Sequence, residues 1–442
     1  MSSWKQVRFS EICDITRGGS PRPIQEYMTN DGVPWIKISD ATASNSRFIE
    51  KTKEFIKTSG ISKSREVFPD DLILSNSATP GIPKFMRIYA CIHDGWLLLR
   101  NFNGAEKEFI YWLLLNERDK LIQQGNGSVF TNLKTDILKN HIVNIPDDIE
   151  EQKRIATILN NIQEKIELNT QINQTLEQIA QTIFKSWFID FDPVHAKANA
   201  LASGQTAEQA TQVAMAVISG KNTQELHRLQ TANPKQYQQL WEIAETFPSG
   251  FDEEGVPRGW ESKSLDEIAI YQNGLALQKF RPESEDEYLP VVKIAQLKQG
   301  YADGKEKASV NIKPECIIDN GDVIFSWSGS LVVDIWCGGK AALNQHLFKV
   351  TSKNYPKWLY YFYTVHHLAE FQRIAADKAV TMGHIKREHL SLALCVIPNN
   401  EFIQKFCFLE DYISQIVNNR LQNVSLIKIR DELLPKLLSG EI

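Results

Sequence analysis

The feature that most constrains this chain is that it writes one large unit twice. "HIVNIPDDIEEQKRIATIL" (141–159) and "LALCVIPNNEFIQKFCFLEDYI" (392–413) share a grammar: a short apolar strand, a proline, acidic or amide residues, Gln-Lys, then a helix-period run. Pro146 matches Pro398, and Gln152-Lys153 matches Gln404-Lys405, both 252 positions apart. Upstream, "WKQVRFSEICDITRGG" from Trp4 answers to "WESKSLDEIAIYQNG" from Trp260, and "PWIKIS" (34–39) to "PVVKIA" (290–295), both at 256. "DLILSNS" (71–77) answers to "DVIFSWS" (322–328) at 251. Small drifts in offset are loop insertions on a shared scaffold, so this is a two-fold repeat of a large unit and not a solenoid of short ones.

Each unit opens with about 145 residues in which runs such as "VPWIKIS", "DLILSNS" and "HIVNIP" have strand character. "KEFIYWLLLNERDKLIQQG" and "PKWLYYFYTVHHLAEFQRIAAD" each predict one helix. The fold class is therefore α/β (α+β), in tandem. Each unit ends in a long helix. Ile155, Ile158, Ile162, Ile166, Asn169, Ile172, Leu176, Ile179 and Ile183 form one stripe with the coiled-coil period of about 3.5. Phe406, Leu409, Ile413, Val417, Leu421, Val424, Ile427 and Leu434 form the other. Asp148 with Glu151 predicts a capping box at the first helix start. Asn169 either fixes register within the stripe or faces solvent at its edge. Each stripe needs a partner, and pairing the two as an antiparallel coiled coil gives the chain pseudo-two-fold symmetry. The division is a first domain (1–147), a spacer helix (148–192), a connector with extra helices (193–255), a second domain (256–399) and a second spacer helix (400–442).

At 442 residues the chain exceeds one core. Its net charge of −5 is uneven: residues 1–147 carry +2 and 256–399 carry +1, whereas 148–255 carry −7. A nucleic-acid partner is thus allowed by the two domains but not announced. Lys5, Arg8, Glu11 and Asp14 do not suit a secretory signal, and the longest apolar runs are too short to span a bilayer, so a cytoplasmic location is expected. The six scattered cysteines show no C-x-x-C and are expected to be reduced core residues.

Catalytic motifs are missing from the sequence. There is no "[DNS]-P-P-[YFW]" turn and no glycine-rich S-adenosylmethionine loop; "GGKAAL" (338–343) lacks the first Gly and the Ser/Thr of a phosphate loop. In "HIKREH" (384–389) Ile385 stands where a zinc-binding His belongs, and "PDDIEEQK" (146–153) is too compact for a nuclease metal site. The pattern is that of a reader and scaffold.

"IFKSWFIDFDPVHAKA" (183–198), "FPSGFDEEGVPRGWESKSLDEIA" (247–269) and "RDELLPKLLSGEI" (430–442) together resemble the central, second-domain-entry and C-terminal segments of DNA specificity subunits of type I restriction–modification systems. The resemblance implies two target recognition domains, each reading half of a split double-stranded DNA site, with the helical pair setting the unread gap. It also implies two modification (methyltransferase) subunits and further restriction (translocase/nuclease) subunits as partners. S-adenosylmethionine, ATP and Mg²⁺ would be bound by those partners, and no cofactor or metal by this chain. The segment 199–246, rich in Ala, Gln and Thr, departs from the repeat and reads as extra helices; it either decorates the connector or packs on a partner.

Base edges are read by side chains with paired donors and acceptors, and phosphates by Lys, Arg, hydroxyls and backbone N–H groups. Polar loops between strands are where such groups belong. The candidates for DNA contact are Arg17, Arg22, Asn76, Lys84, Asn126 and Lys134, then Lys279, Arg281, Trp327, Lys340, Gln345, Lys386 and Arg387. Trp327 suits a core position better than base stacking. Lys37 and Lys293, equivalent in the two copies, suit a shared phosphate contact or a structural ion pair equally. Trp187, Phe188 and Phe191 are candidates for partner docking, or for capping the helical seam against "LLPKLL" (433–438). Rival readings are a self-contained nuclease or methyltransferase, and a coiled-coil scaffold that never touches DNA.

Overall fold

The repeat offsets reappear as hydrogen-bonded strand pairs in a computed structural model, which describes residues 3–42, 46–124, 132–284, 287–377 and 383–442. The chain divides into two units, Met1–Asn169 with Gln422–Ile442, and Thr170–Leu421.

In the first unit, Trp4–Arg8 pairs antiparallel with Ile142–Pro146 and ties the two ends of the domain together. One five-stranded sheet runs Asp14–Arg17, Trp96–Arg100, Leu72–Ser75, Pro83–Met86, Phe48–Ile49; the other runs Met28–Thr29, Phe55–Ile56, Val33–Ile36, Ala90–Ile92, Arg65–Val67. Side chains on a strand alternate between faces, which sorts the core. Leu72, Leu74, Leu97 and Leu99 pack with Phe109 and Trp112 of the helix Lys107–Asn116, while Ile73 and Leu98 face Ile36 and Ile92 of the other sheet. Leu72–Ser75 is buried along its length, as a strand covered on both faces must be.

The second unit repeats this topology. Glu261–Ser264 pairs with Leu394–Ile397, one four-stranded sheet runs Ile270–Asn273, Leu347–Thr351, Val323–Ser326, Val333–Ile335, and the other runs Lys307–Ala308, Leu289–Val292, Ala341–Leu343, Ile317–Ile318. Register carries the offsets over: Trp35 lies beside Cys91 in a parallel pair, and Val291 beside Ala342. The domain helix is single here, Lys357–Asp377, whereas in the first unit it breaks at Glu117 into Lys107–Asn116 and Arg118–Gln124. The Glu117 carboxylate is there turned onto the buried His141 ring at 3.0 Å.

The long helices are Ile149–Phe184 and Phe408–Ser439. In the first unit Gln163 meets Arg430 at 2.8 Å, and Asn169 meets Gln422 and Asn423 at 2.7 and 2.9 Å. In the second, Asn173 meets Asn419 at 2.8 Å and the Ile416 carbonyl at 3.1 Å, and Phe184 shares a core with Phe406. Numbers rise along one helix as they fall along the other, so the helices pair antiparallel. Four expectations are corrected. Of the expected stripes, Ile155, Ile166, Asn169, Phe406, Leu409 and Ile413 are buried, but Ile172, Ile179, Val424 and Ile427 are exposed, because the seam also runs through Gln163, Asn173, Ala180 and Phe184. The capping box is replaced by a simple N-cap: Asp148 Oδ1 accepts from the Glu150 N–H at 3.0 Å, while the Glu151 carboxylate pairs with Arg154. The second spacer is broken near Phe406–Cys407 into Asn400–Lys405 and Phe408–Ser439; Cys407 there is exposed, unlike the five buried cysteines.

The connector holds helices Asp192–Ala202, Ala207–Ser219, Thr223–Ala232 and Pro234–Thr246, packed around Ala214, Met215, Leu226 and Ala244. Lys197 is buried beneath them. Its Nζ donates to the carbonyls of Ala244, Glu245 and Phe247 at 3.3, 3.3 and 2.6 Å, closing the last turn of Pro234–Thr246. Burial pushes its pKa down.

Candidate nucleic-acid interface

Polar loops from separate parts of the sequence are drawn together by backbone bonds in each domain. In the first, the Gly18 and Gly19 N–H groups donate to the Trp96 and Ile92 carbonyls, Asn76 N–H to the Gly95 carbonyl, and Leu133 N–H to the Asn76 carbonyl. In the second, Gly274 and Leu275 donate to Leu347 and Leu343, Trp327 to His346, and Ile385 to Trp327. These are the same four bonds, displaced by the repeat offsets. A Cβ at Gly18 would fall 2.0 Å from the His93 carbonyl oxygen, and one at Gly274 would fall 2.2 Å from that of Leu343. Only glycine lets the loop lie this close to the neighbouring strand end.

Side chains complete the frame. The Asn76 amide donates to the Asp94 carbonyl at 3.2 Å, and the Trp327 indole N–H donates to the Gln345 carbonyl at the same distance. In the first domain Asp94 gathers the charges. Its Oδ1 accepts from Ser20 at 2.7 Å, and its Oδ2 faces the guanidinium groups of Arg17 and Arg22 at 3.8 and 3.7 Å. The Ser20 hydroxyl first, then His93 and Arg17, hold its carboxyl below the ordinary range. Arg17 also donates through Nε to the Asp94 carbonyl at 2.9 Å. Both arginines are exposed, Arg22 by 82% of its side chain. In the second domain Gln345 is exposed beside His346, and Gln278, Lys293, Asn344 and Gln345 line a pocket of about 260 Å³.

Of the sequence candidates, the structure brings together Arg17, Arg22 and Asn76 in one domain, and Trp327 and Gln345 in the other. Asn76 is buried and acts through its bonds to the loops. Trp327 is half-buried among His346, Phe348 and His384. Arg387 donates to the Tyr271 carbonyl at 3.1 Å, and Lys386 pairs with Glu388 at 3.4 Å. Lys134, Lys279 and Arg281 are exposed. Lys340 stands at the far end of Ala341–Leu343 from Gln345. Asn126 lies outside the described residues. Lys84 is not on the loop surface: it is 5% exposed and donates to the Ser46 carbonyl, and burial lowers its pKa to about 8. Lys37 pairs with Glu54 at 2.6 Å, and Lys293 pairs with Glu306, the same ion pair in both copies. Sequence reasoning missed Asp94, Ser20 and Gln278; stepping Gln345 and Arg22 through the repeat offsets would have pointed to Asp94 and Gln278.

Trp187 and Phe188 are buried against Phe247, Trp358, Phe402 and Phe406, with Phe191 half-buried beside Phe251 and Trp260. They do not cap the seam against 433–438. Leu437 and Leu438 belong to the first unit's core with Leu113, Ile155 and Leu159, because antiparallel pairing sets the end of one helix against the start of the other. Among the described residues there is no group of three or more His, Cys, Asp or Glu able to hold a metal, and no helix is long and apolar enough to cross a membrane.

A pair of like-folded domains, each presenting a polar loop frame and mounted on paired antiparallel helices, defines a tandem recognition protein. Residues 1–178 and 257–425 match the type I restriction modification DNA specificity domain, and the chain belongs to that family. It is 29% identical over 470 residues to the specificity subunit of the type I restriction enzyme HindI of Haemophilus influenzae, with 100% of both chains covered. It is 25% identical to the specificity subunit of the type I restriction enzyme MjaIX of Methanocaldococcus jannaschii, covering 99% of this chain and 93% of the relative. Its fold matches the crystal structure of a type I restriction–modification S subunit from M. genitalium at a TM-score of 0.54 and 11% identity, covering 99% of this chain and 96% of that one. The protein is thus a type I specificity component, which recognises a bipartite DNA target through two tandem domains and is not itself catalytic.

Proposed function

We propose that the chain works as the reader of an assembly containing two modification subunits and further restriction subunits. The carrying observation is the loop frame repeated in both domains, with exposed arginines on one copy and exposed amides on the other. Each frame contacts one half-site of double-stranded DNA. Arg17, Arg22, Lys134, Lys279, Arg281, Lys386 and Arg387 supply base or phosphate contacts, and the length of the paired helices sets the number of unread base pairs between the half-sites. S-adenosylmethionine, ATP and Mg²⁺ are bound by the partner subunits; what supports this is the lack of a glycine-rich loop or phosphate loop in the sequence. The assembly works in the cytoplasm, where its DNA is.

The test is long-read mapping of N6-methyladenine in the source genome with and without an intact copy of this gene. A split motif of fixed gap that loses its methylation on disruption is the expected result. Unchanged methylation while the modification subunit is expressed would leave the chain a protein scaffold.

A further inference from the structure

The two frames are congruent in backbone and opposite in chemistry. Strand register makes Arg17 the counterpart of Asn273, since Leu97 pairs with Arg17 and Phe348 with Asn273. The bond received from residue 76 or 327 makes Asp94 the counterpart of Gln345. Lys37 stands eighteen positions after Gly19, as Lys293 does after Leu275, so Arg22 corresponds to Gln278 by count. The structure agrees: Arg22 reaches Asp94, and Gln278 lines one pocket with Gln345. The first domain therefore offers two guanidinium groups aimed by one carboxylate, where the second offers the amides of Gln278 and Gln345.

These two sets match different base edges. A guanidinium donates two parallel hydrogen bonds to the O6 and N7 acceptors of guanine, whereas a carboxamide, one donor and one acceptor, matches N7 and the 6-amino group of adenine. Asp94 aims the arginines without neutralising both, because one carboxylate faces two cations. We propose that the first domain reads a guanine through Arg22, with Arg17 beside it, and that the second reads an adenine through Gln278 and Gln345. The assignment rests on the DNA-reading role given above and names the base class for each half-site.

The test uses the full chain co-expressed with its modification subunit, with the methylated motif read by long-read sequencing. The variants are Arg22→Ala, Gln278→Ala and the exchange Gln278→Arg. Arg22→Ala is expected to relax one guanine position in one half-site, lowering the preference for it by about 5- to 150-fold. Gln278→Ala is expected to relax an adenine position in the other half-site by a similar factor, and Gln278→Arg to shift that position towards guanine. The untouched half-site, still read at full stringency, shows that each variant is folded and assembled. The proposal is overturned if a variant methylates the wild-type motif unchanged, relaxes the wrong half, or relaxes a base of the other class. A wild-type complex that methylates without any motif would instead remove the DNA-reading role itself.

Discussion

Arg420 and Asp334 meet at 2.7 Å, Nη1 to Oδ1, joining the second long helix to the strand Val333–Ile335. The same guanidinium donates to the Ile335 carbonyl at 3.0 Å and to Glu177 of the other long helix at 3.1 Å. One half-buried cation thus ties a recognition domain to both members of the helical pair. Strand register puts Lys84 at the position of Asp334, since Ile73 faces Lys84 as Ile324 faces Asp334. There the carboxylate that acts on Lys84 is Glu167 of the first long helix. The latch keeps its place and reverses its polarity.

A charged hydrogen-bonded pair of this exposure contributes about 1–3 kcal/mol. A double-mutant cycle on the full chain with Asp334→Ala and Arg420→Met, read by urea unfolding, is expected to return a coupling of that order. Additive losses would mean that the two side chains act independently.

Lys84 gives the first latch a pH signature. Its folded pKa, about 8, lies below the ordinary 10.5, because burial outweighs the help from Glu167. Between those values the unfolded chain binds the extra proton, so stability rises with pH through this window and the penalty is fully present below it. Relative to wild type, Lys84→Met is expected to flatten the rise in urea midpoint between pH 8 and 10.5. An identical slope in both proteins would place the Lys84 pKa at its ordinary value.

What the sequence made legible was whatever the repeat wrote twice. Offsets of 256 and 251 became the parallel pairs of Trp35 with Cys91 and Val291 with Ala342, and the paired lysines became paired ion pairs. Matched letters did not always keep matched roles. Gln152 is fully buried, bonding the Pro146 carbonyl and the Glu106 N–H at 2.8 and 2.7 Å, whereas Gln404 is exposed, because the second helix breaks just after it. The isoleucine stripe holds at Ile155, Ile166 and Asn169 but drifts off the seam at Ile172 and Ile179, because polar Gln163, Asn173 and Asn419 are buried there and bonded to one another's helices. Lys84 has loop character in the sequence because its strand, only four residues long, hides beside a Gly-Pro-rich turn. Asp94 carries no signal of its own in the sequence, because its role comes only from the two arginines that it faces in the folded domain.

The connector has its own anchor. Lys197 replaces the missing bonds at the end of Pro234–Thr246 with three donated by one ammonium group. Lys197→Met keeps the apolar stem and removes the donors, leaving buried carbonyls unmatched at a cost of about 1–3 kcal/mol. Limited proteolysis of the full chain is expected to cut faster within 203–246 in this variant. Unchanged protection would mean that packing around Met215 and Leu226 holds the helices without the cap.

The polar centre of the helical pair makes the sharpest distinction between stability and specificity. Asn173 accepts from the Asn419 amide at 2.8 Å and donates to the Ile416 carbonyl, with both asparagines buried. Removing one partner strands the other in an apolar seam, which costs about 1–3 kcal/mol, whereas replacing both with apolar residues of like shape is close to neutral or favourable. Asn173→Leu is therefore expected to lower the melting temperature of the full chain, and adding Asn419→Leu to restore or exceed the wild-type value. The gain should come with a loss, because buried amides fix the register of paired helices. Cysteine pairs placed across the seam in the double variant are expected to crosslink in more than one register, where the wild-type seam allows one. If the double variant is as unstable as the single, the asparagines contribute through their helix-facing bonds alone and the register argument fails.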